Sequence, residues 1–522
     1  VRGFRTWAGG KAAATLLLVA VLAPVASCRD SASGEAVVTV IADRLPSLAD
    51  PTTASLTPAD LLLVDNVAQG LVRFDAAGDV APALAERWAV SDDGLSYVFR
   101  LQNAEWSDGR RVRARDIVRL IKRQLARRDG DPLRDSIGAV REVVAMTDRV
   151  IAIELSAPRP HFLQLLAQPQ FGLVREGRGS GPFRYRREGE ALILDRTLPG
   201  FDGDESSEER VRLTAASAKD AVDAFVDGRT EMVIGGTVAD VPVALGARLP
   251  RGSLRFDPVA GLFGLVPARR DGIAADREAR ALLDAAIDRD ALVAALGVPG
   301  LQSRASLLQT GLDGYGAPAQ PAWAATPFAE RRPALVQIAD RLFPAQPAPA
   351  PAERSGGEAA AAEQAEAAVA PAPAFRAAVR VDLPAGPGGD IILQRLKTDW
   401  APLGLAVEDA RGARNADFRW IDAVAPSNSP AWFLRNFRCE FAAICSEEAD
   451  RLLDAARLTG FAPQRAAFFA EAERIMREQV LFIPIAAPIR WSLAGRNFDG
   501  FAENRFARHS LVGLRTDAGA RN

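Results

Sequence analysis

The stretch that decides the fold is "PALAERWAVSDDGLSYVFRLQNAEWSDGRRVRARDI", residues 82–117. Its middle, "LSYVFRLQ", sets Leu95, Tyr97, Phe99 and Leu101 on one face of a strand, with the turn sequences "SDDG" before it and "WSDG" after it. Next comes "RARDIVRLIKRQLARR" (113–128), where Ile117, Ile121 and Leu125 recur every four residues, with Asp116 in the first turn and most of the bases on the other side. The spacing predicts an amphipathic helix whose basic face is solvated. A half-buried strand between tight turns, then a helix, is the local grammar of a mixed α/β chain.

The same alternation continues outward. "AVVTVIAD" (36–43), "RVIAIELSAP" (149–158) and "EALILDRTL" (190–198) read as strands, and "DPTTASLTPAD" (50–60) is loop chemistry leading to a helix capped at Thr57 with Pro58 in its first position. Residues 277–297 and 463–480 have helical periodicity, and "LFIPIAAPI" (481–489) is the continuous apolar run of a strand covered on both faces. At 522 residues, with 48% hydrophobic and 25% charged residues, the chain is long enough for two or more lobes. Residues 344–374 are nearly all Pro, Ala, Glu and Gly, bury too little apolar surface to offset their ordering entropy, and read as an insert.

The N-terminus has Arg2, Arg5 and Lys11 and no acid, followed by the apolar run "AAATLLLVAVLAPVAS" (12–27), short for a membrane span and built like an export signal. The run ends in "VASC", which resembles the bacterial lipobox, so residues 1–27 are expected to be a lipoprotein signal peptide and Cys28 the lipidated residue. Residues 28–35 then form a small, polar tether. Cys439 and Cys445 remain, in an exported segment where thiols oxidise, and a local disulfide is the expected state.

Several functions are excluded by what is missing. The 64 basic residues are balanced by 66 acidic ones, so no basic field draws nucleic acid. "GRGSGP" (177–182) has its glycines at the wrong offsets for a nucleophile elbow, and "GPGGD" (386–390) lacks the Lys-Ser/Thr end of a phosphate loop. With His161 and His509 as the two histidines, remote in sequence from each other and from the cysteines, no metal site is expected, and no cofactor. Asp92/Asp93 and Glu447/Glu448 fall in a turn and at a helix start, where acids cap backbone N–H groups. The chain does not read as an enzyme.

The 82–117 stretch resembles the signature region of the bacterial extracellular solute-binding proteins of family 5, the oligopeptide-, dipeptide- and nickel-binding components of ABC importers. Further pieces follow in that family's order: "GSGPFRY" (179–185), "DREARALLDAAIDRDALV" (276–293), "ALVQIADRL" (334–342), "ILQRLKTDWAPLGLAVE" (392–408) and "LFIPI" (481–485). The resemblance covers roughly residues 36–515 and implies an α/β fold of the two-lobe periplasmic-binding-protein type (class II, cluster C) with an extra N-terminal subdomain. It implies lobe I from residues 36–70, 173–255 and 485–515, the subdomain from 71–172, and lobe II from 256–484 with the insert at 344–374. Trp106, Asp108 and Gly109 occur in members with different ligands and count as turn and packing residues.

The implied function is binding without chemistry, closure of the lobes being a population shift driven by the ligand. A monomer held to the membrane by its lipid, in the periplasmic space or on the outer face of the cytoplasmic membrane, would capture a peptide or peptide-like small molecule for an ABC permease complex; the alternatives are a non-peptide solute, or a sensory or chaperone-like lipoprotein on the same fold without transport. In peptide-binding members the stretch matching "DFRWIDAVAPSNSPAWFL" (417–434) pairs with the ligand backbone, and an Asp shortly after a Trp receives the α-ammonium; a buried cation needs such a partner. Here a gap-free reading sets Ala423 where the family has Trp and Pro426 where it has Asp, while Trp420 and Asp422 are spaced Trp-x-Asp. Either Asp422 anchors the cation from a shifted register or the pocket takes no free N-terminus. A solvent-facing Asp422 is the plain alternative. The opposite wall is expected from Leu56, Thr57 and Pro58, with Phe263 as a stacking surface. Three tyrosines make a thin polar aromatic lining for long peptides.

Overall fold

The computed structural model describes residues 35–126, 138–198, 207–344, 375–495 and 498–516. Cys28, the signal, residues 28–34 of the expected tether and residues 345–374 of the expected insert lie outside these residues, while Glu35 begins a strand.

Two sheets organise the chain. The first has seven strands in the order 184–188, 191–198, 207–216, 35–41, 232–236, 491–494 and 254–256. Its central strand, Glu35–Ile41, pairs parallel with both neighbours, and Val38 and Val40 enter the core with Leu63, Val64 and Leu213. The second sheet has five strands, ordered 405–409, 377–382, 418–424, 261–267 and 483–484. Side chains from both of its faces are buried: Phe263, Leu265 and Trp420 in one apolar cluster, Leu262 in another.

The 82–117 stretch forms part of a separate four-stranded antiparallel sheet, ordered 85–90, 96–101, 150–155 and 140–147. The strand Ser96–Leu101 buries Tyr97, Phe99 and Leu101 as its alternation requires, against Ile117 and Ile121 of the helix Ala114–Ala126. Trp106 is fully buried with the Arg175 guanidinium over its ring, Asp108 accepts from the Arg110 N–H and from Arg175, and Gly109 takes the left-handed conformation (φ 78°) that its turn needs.

Two local readings are corrected. The run 481–489 keeps only Ile483–Pro484 in the ladder, with the Ile485 N–H still donating to the Phe263 carbonyl and Ala486 in an isolated bridge to Ser303; Pro488 has no N–H to donate, and the chain turns into a crossing segment instead. The 277–297 pattern breaks into helices Arg277–Ala285 and Arg289–Leu296, because Asp288 caps the second through the Ala291 N–H and Gly297 closes it at φ 67°.

The chain passes between the two main sheets through paired segments. It leaves the first at Phe256 and enters the second at Gly261, then leaves at Pro484 and returns at Trp491. The Asp257 N–H donates to the Arg490 carbonyl at 3.0 Å, so the two crossings brace each other. Far from them in sequence, the small subdomain also touches the second lobe. His161 pairs with Asp313 at 3.0 Å, Gln168 donates to the Pro426 carbonyl at 2.9 Å, and Arg159 donates to the Arg457 carbonyl at 2.9 Å.

Candidate functional site: the cleft at the crossings

The crossings form one wall of a cavity of about 620 Å³, lined among others by Asp257, Val259, Arg304, Ser306, Gln309 and Arg490. Its position follows from the sequence of the crossings. Pro258 and Pro488 cannot donate to a ladder, so neither sheet extends across the gap. Gly261 lets the entering strand approach its neighbour: a Cβ there would lie 2.0 Å from the Ala423 carbonyl oxygen. Arg304 donates to the Gln309 side chain at 3.0 Å and to the Gly261 carbonyl at 2.8 Å; burial with no carboxylate opposite pulls its pKa down to about 10.

Strand register decides where Asp422 points. Phe263 stands opposite Asp422 and Leu265 opposite Trp420, so these four side chains share one face of the second sheet. Toward the crossings on that face, Asp422 meets a cation of its own chain. Arg490 Nη1 donates to Asp422 Oδ1 at 2.7 Å and to the Ile489 carbonyl at 2.8 Å, and Nη2 to the Asp422 carbonyl at 3.2 Å. Desolvation pushes the Asp422 carboxyl above its ordinary value, with Arg490 offsetting part of that rise. Asp422 is thus neither a free cationic anchor nor a solvent-facing loop residue. It ties the end of the strand to the returning crossing.

The other expected site residues have local duties. Phe263 is 0% exposed and meets the Trp420 ring edge-on with centroids 4.8 Å apart, which corrects the expectation of a stacking surface. Both belong to the second lobe's core because the sheet is covered on both faces there. Ala423 is partly buried against the opposite apolar cluster, and Pro426 is buried with its carbonyl engaged by Gln168. Thr57 is spent in a capping box, accepting from the Asp60 N–H while its own N–H donates to the Asp60 carboxylate; Pro58 follows at the helix start, and Leu56 packs on the first lobe's core. Arg44 and Ser47 also bind Asp60, whose carboxyl is held far below its usual range by these donors against the opposing effect of burial. Cys439 and Cys445 are joined by a disulfide, Cα atoms 5.0 Å apart.

Four charged residues were not picked out from the sequence: Asp65, Arg304, Arg490 and Arg508. Each gains its meaning from a segment far away in the chain, as Arg490 does from Asp422, 68 residues earlier.

A fold of two sheets joined by braced double crossings, with a cavity at the joint, is accompanied by a sequence match over residues 79–408 to the model of the bacterial extracellular solute-binding proteins, family 5 Middle. The chain belongs to that family. Among the relatives of this solute-binding protein, a probable di/tripeptide-binding protein of Pseudomonas aeruginosa is 24% identical, the match covering 88% of this chain and 90% of the relative. The dipeptide-binding protein DppE of Bacillus subtilis is 25% identical over 35% of this chain and 40% of its own length, so that match spans less than half of the relative. The structure of Haemophilus influenzae OppA in complex with RPPGFSPFR superposes with a TM-score of 0.74 at 16% identity, covering 92% of this chain and 99% of the other, and gives the same two-lobe fold. The solute-binding protein has no helix among its described residues that is long and apolar enough to cross a membrane.

Proposed function

We propose that the protein is the lipid-anchored solute-binding component of an ABC importer, enclosing a peptide or peptide-like small molecule between its lobes and delivering it to a permease. The observation that carries this reading is the braced double crossing with a charged cavity at its joint, in a member of a solute-binding family. Relatives named for di- and tripeptides support a short peptide as the solute. Lobes meeting at the crossings and again at the subdomain enclose a small solute and make its release depend on reopening. Export by the N-terminal signal and lipidation at Cys28 keep the protein on the outer face of the cytoplasmic membrane or in the periplasmic space.

A second reading, a non-peptide solute, is favoured by one observation. Asp422, the carboxylate nearest the family's ammonium-binding position, is already paired with Arg490. Both readings are tested by native mass spectrometry of the form lacking residues 1–28, purified gently, with denaturing release of whatever is bound. Peptides with free amines support the first reading. A defined non-peptide molecule replaces it with the second. Loss of labelled palmitate incorporation in Cys28→Ala tests the anchor.

A further inference from the structure

The basic face of the helix Ala114–Ala126 takes no part in the cleft, and its charge runs against that of the rest of the chain. Residues 110–126 contain seven bases and one acid, Asp116, whereas the chain from Cys28 onward is acidic: 64 bases less Arg2, Arg5 and Lys11 leave 61 against 66 acids. The helix buries Ile117, Val118 and Ile121 against the subdomain sheet, and the same period turns Arg115, Arg119 and Lys122 outward in one stripe, with Arg111 and Arg113 exposed just before it. Arg119 approaches Asp116 only to 3.9 Å and keeps 72% of its side chain exposed, while the neighbouring Asp108 is already shared by Arg110, Arg175 and Arg178. The side chains of Arg111, Arg113, Arg115 and Lys122 make no hydrogen bond and no ion pair among the described residues. Like charges gathered on one exposed face repel each other, and an anionic surface removes that repulsion.

Strand register puts this face beside the point where the N-terminal segment joins the fold. Glu35, the first residue of the central strand, stands opposite Arg210, Arg210 opposite Asp195, and Asp195 opposite Arg184, in one row across four strands. With neighbouring strands about 4.8 Å apart, the row spans about 14 Å. At its far end Arg184 Nη2 donates to the Glu105 carbonyl at 3.4 Å, and Glu105 forms a bridge with Arg111, at the start of the basic run. Residues 28–34 separate Cys28 from Glu35, and a stretch of that length reaches at most about 25 Å when fully extended. A lipid on Cys28 therefore keeps a bilayer within reach of the edge that carries Arg111.

We infer that Arg111, Arg113, Arg115, Arg119 and Lys122 form a docking face for a bilayer of anionic phospholipid, and that the small subdomain lies against the membrane that holds the lipid. Guanidinium and ammonium groups pair with headgroup phosphate oxygens. Each base close to an anionic surface raises partition about fivefold, and the gain fades over a screening length of about 8 Å at physiological salt. The lipid supplies attachment, and the basic face supplies orientation. The nearness of the bilayer rests on lipidation at Cys28; the affinity of the face for anionic lipid does not.

The test follows co-sedimentation of the exported chain without residues 1–28 with vesicles of phosphatidylglycerol and phosphatidylethanolamine, or of phosphatidylcholine alone. The expected result is binding to the anionic vesicles only, weakened about tenfold or more when salt rises from about 0.1 to about 1 M. The combined variant Arg111→Gln, Arg115→Gln, Arg119→Gln and Lys122→Gln should lose on the order of 100-fold in partition. Glutamine matches these residues in helix propensity, so its circular dichroism and Tm should stay those of the parent. A second variant, with the exposed Arg332, Arg341, Lys397 and Arg414 of the second lobe changed to Gln, removes the same charge elsewhere and should bind as the parent does. Equal losses in the two variants would reduce the effect to net charge and overturn the docking face, as would equal binding to both vesicle types or binding to neither. Release by millimolar inorganic phosphate at constant ionic strength would replace the surface by a discrete phosphate site and overturn it too. Palmitate incorporation decides the anchor separately: its failure leaves vesicle binding standing, and failure of vesicle binding leaves the anchor standing.

Discussion

Replacing Asp422 by Asn leaves the Arg490 guanidinium without its carboxylate where the two side chains are only 19% and 15% exposed. Removing one partner of a fully buried pair costs about 3–5 kcal/mol. Two features lower that here: the pair retains some contact with water, and Arg490 keeps its bonds to the Ile489 and Asp422 carbonyls. The expected cost of Asp422→Asn is therefore about 2 kcal/mol. Arg490→Met alone should cost a similar amount, since it leaves a desolvated carboxylate. The double variant, which buries neither charge, should lie near the cost of one single variant. The coupling energy from the cycle is expected at about 1.5–2 kcal/mol, read by urea unfolding with tryptophan fluorescence. Additivity within about 0.5 kcal/mol would refute the tie between strand and crossing. So would an Asp422→Asn variant of unchanged stability that has lost affinity for amine-bearing solutes, because that is how a free ammonium anchor behaves.

Three further outcomes are expected. Asp65 is held neutral up to about pH 6 in the folded protein against 3.8 for the ordinary carboxyl, so its ionisation destabilises the fold as pH rises through that window. Asp65→Asn should accordingly raise the unfolding free energy near pH 7 by on the order of 1–3 kcal/mol, and leave it almost unchanged below about pH 4; equal gains at both pH values would exclude the carboxylate as the cause. Gly261→Ala should cost about 2–3 kcal/mol in denaturant unfolding, because the new methyl would lie 2.0 Å from the Ala423 carbonyl oxygen, and a neutral result would contradict that close approach. Opening the Cys439–Cys445 bridge with reductant, or by a double Ser substitution, should cost about 2 kcal/mol for so short a loop, and a larger loss would mean that the bridge holds more than its own loop.

The elements that were legible in the sequence are those whose cause is local. Tyr97, Phe99 and Leu101 alternate, the turns around them carry Asp and Gly, and Thr57-Pro58 opens a helix; each needs only its neighbours to be read. The segment 481–489 departs from the expected strand because apolar runs look alike, whereas the absent N–H of Pro488 helps turn its later half into a crossing. The cleft was less legible still. Trp420 and Asp422 stood out by their spacing, but a spacing does not reveal that the indole meets Phe263 or that the carboxylate is taken by an arginine 68 residues later.

The contacts from the small subdomain to the second lobe, at Asp313, the Pro426 carbonyl and the Arg457 carbonyl, separate two quantities that a single hinge would couple. They form without a solute, so they hold the subdomain against the second lobe equally for every ligand. Shortening that latch, by Gln168→Ala for example, speeds the escape of all solutes together and leaves their rank order alone. Selectivity and residence time can then drift independently, one through the charges at the crossings and the other through contacts the chain makes with itself.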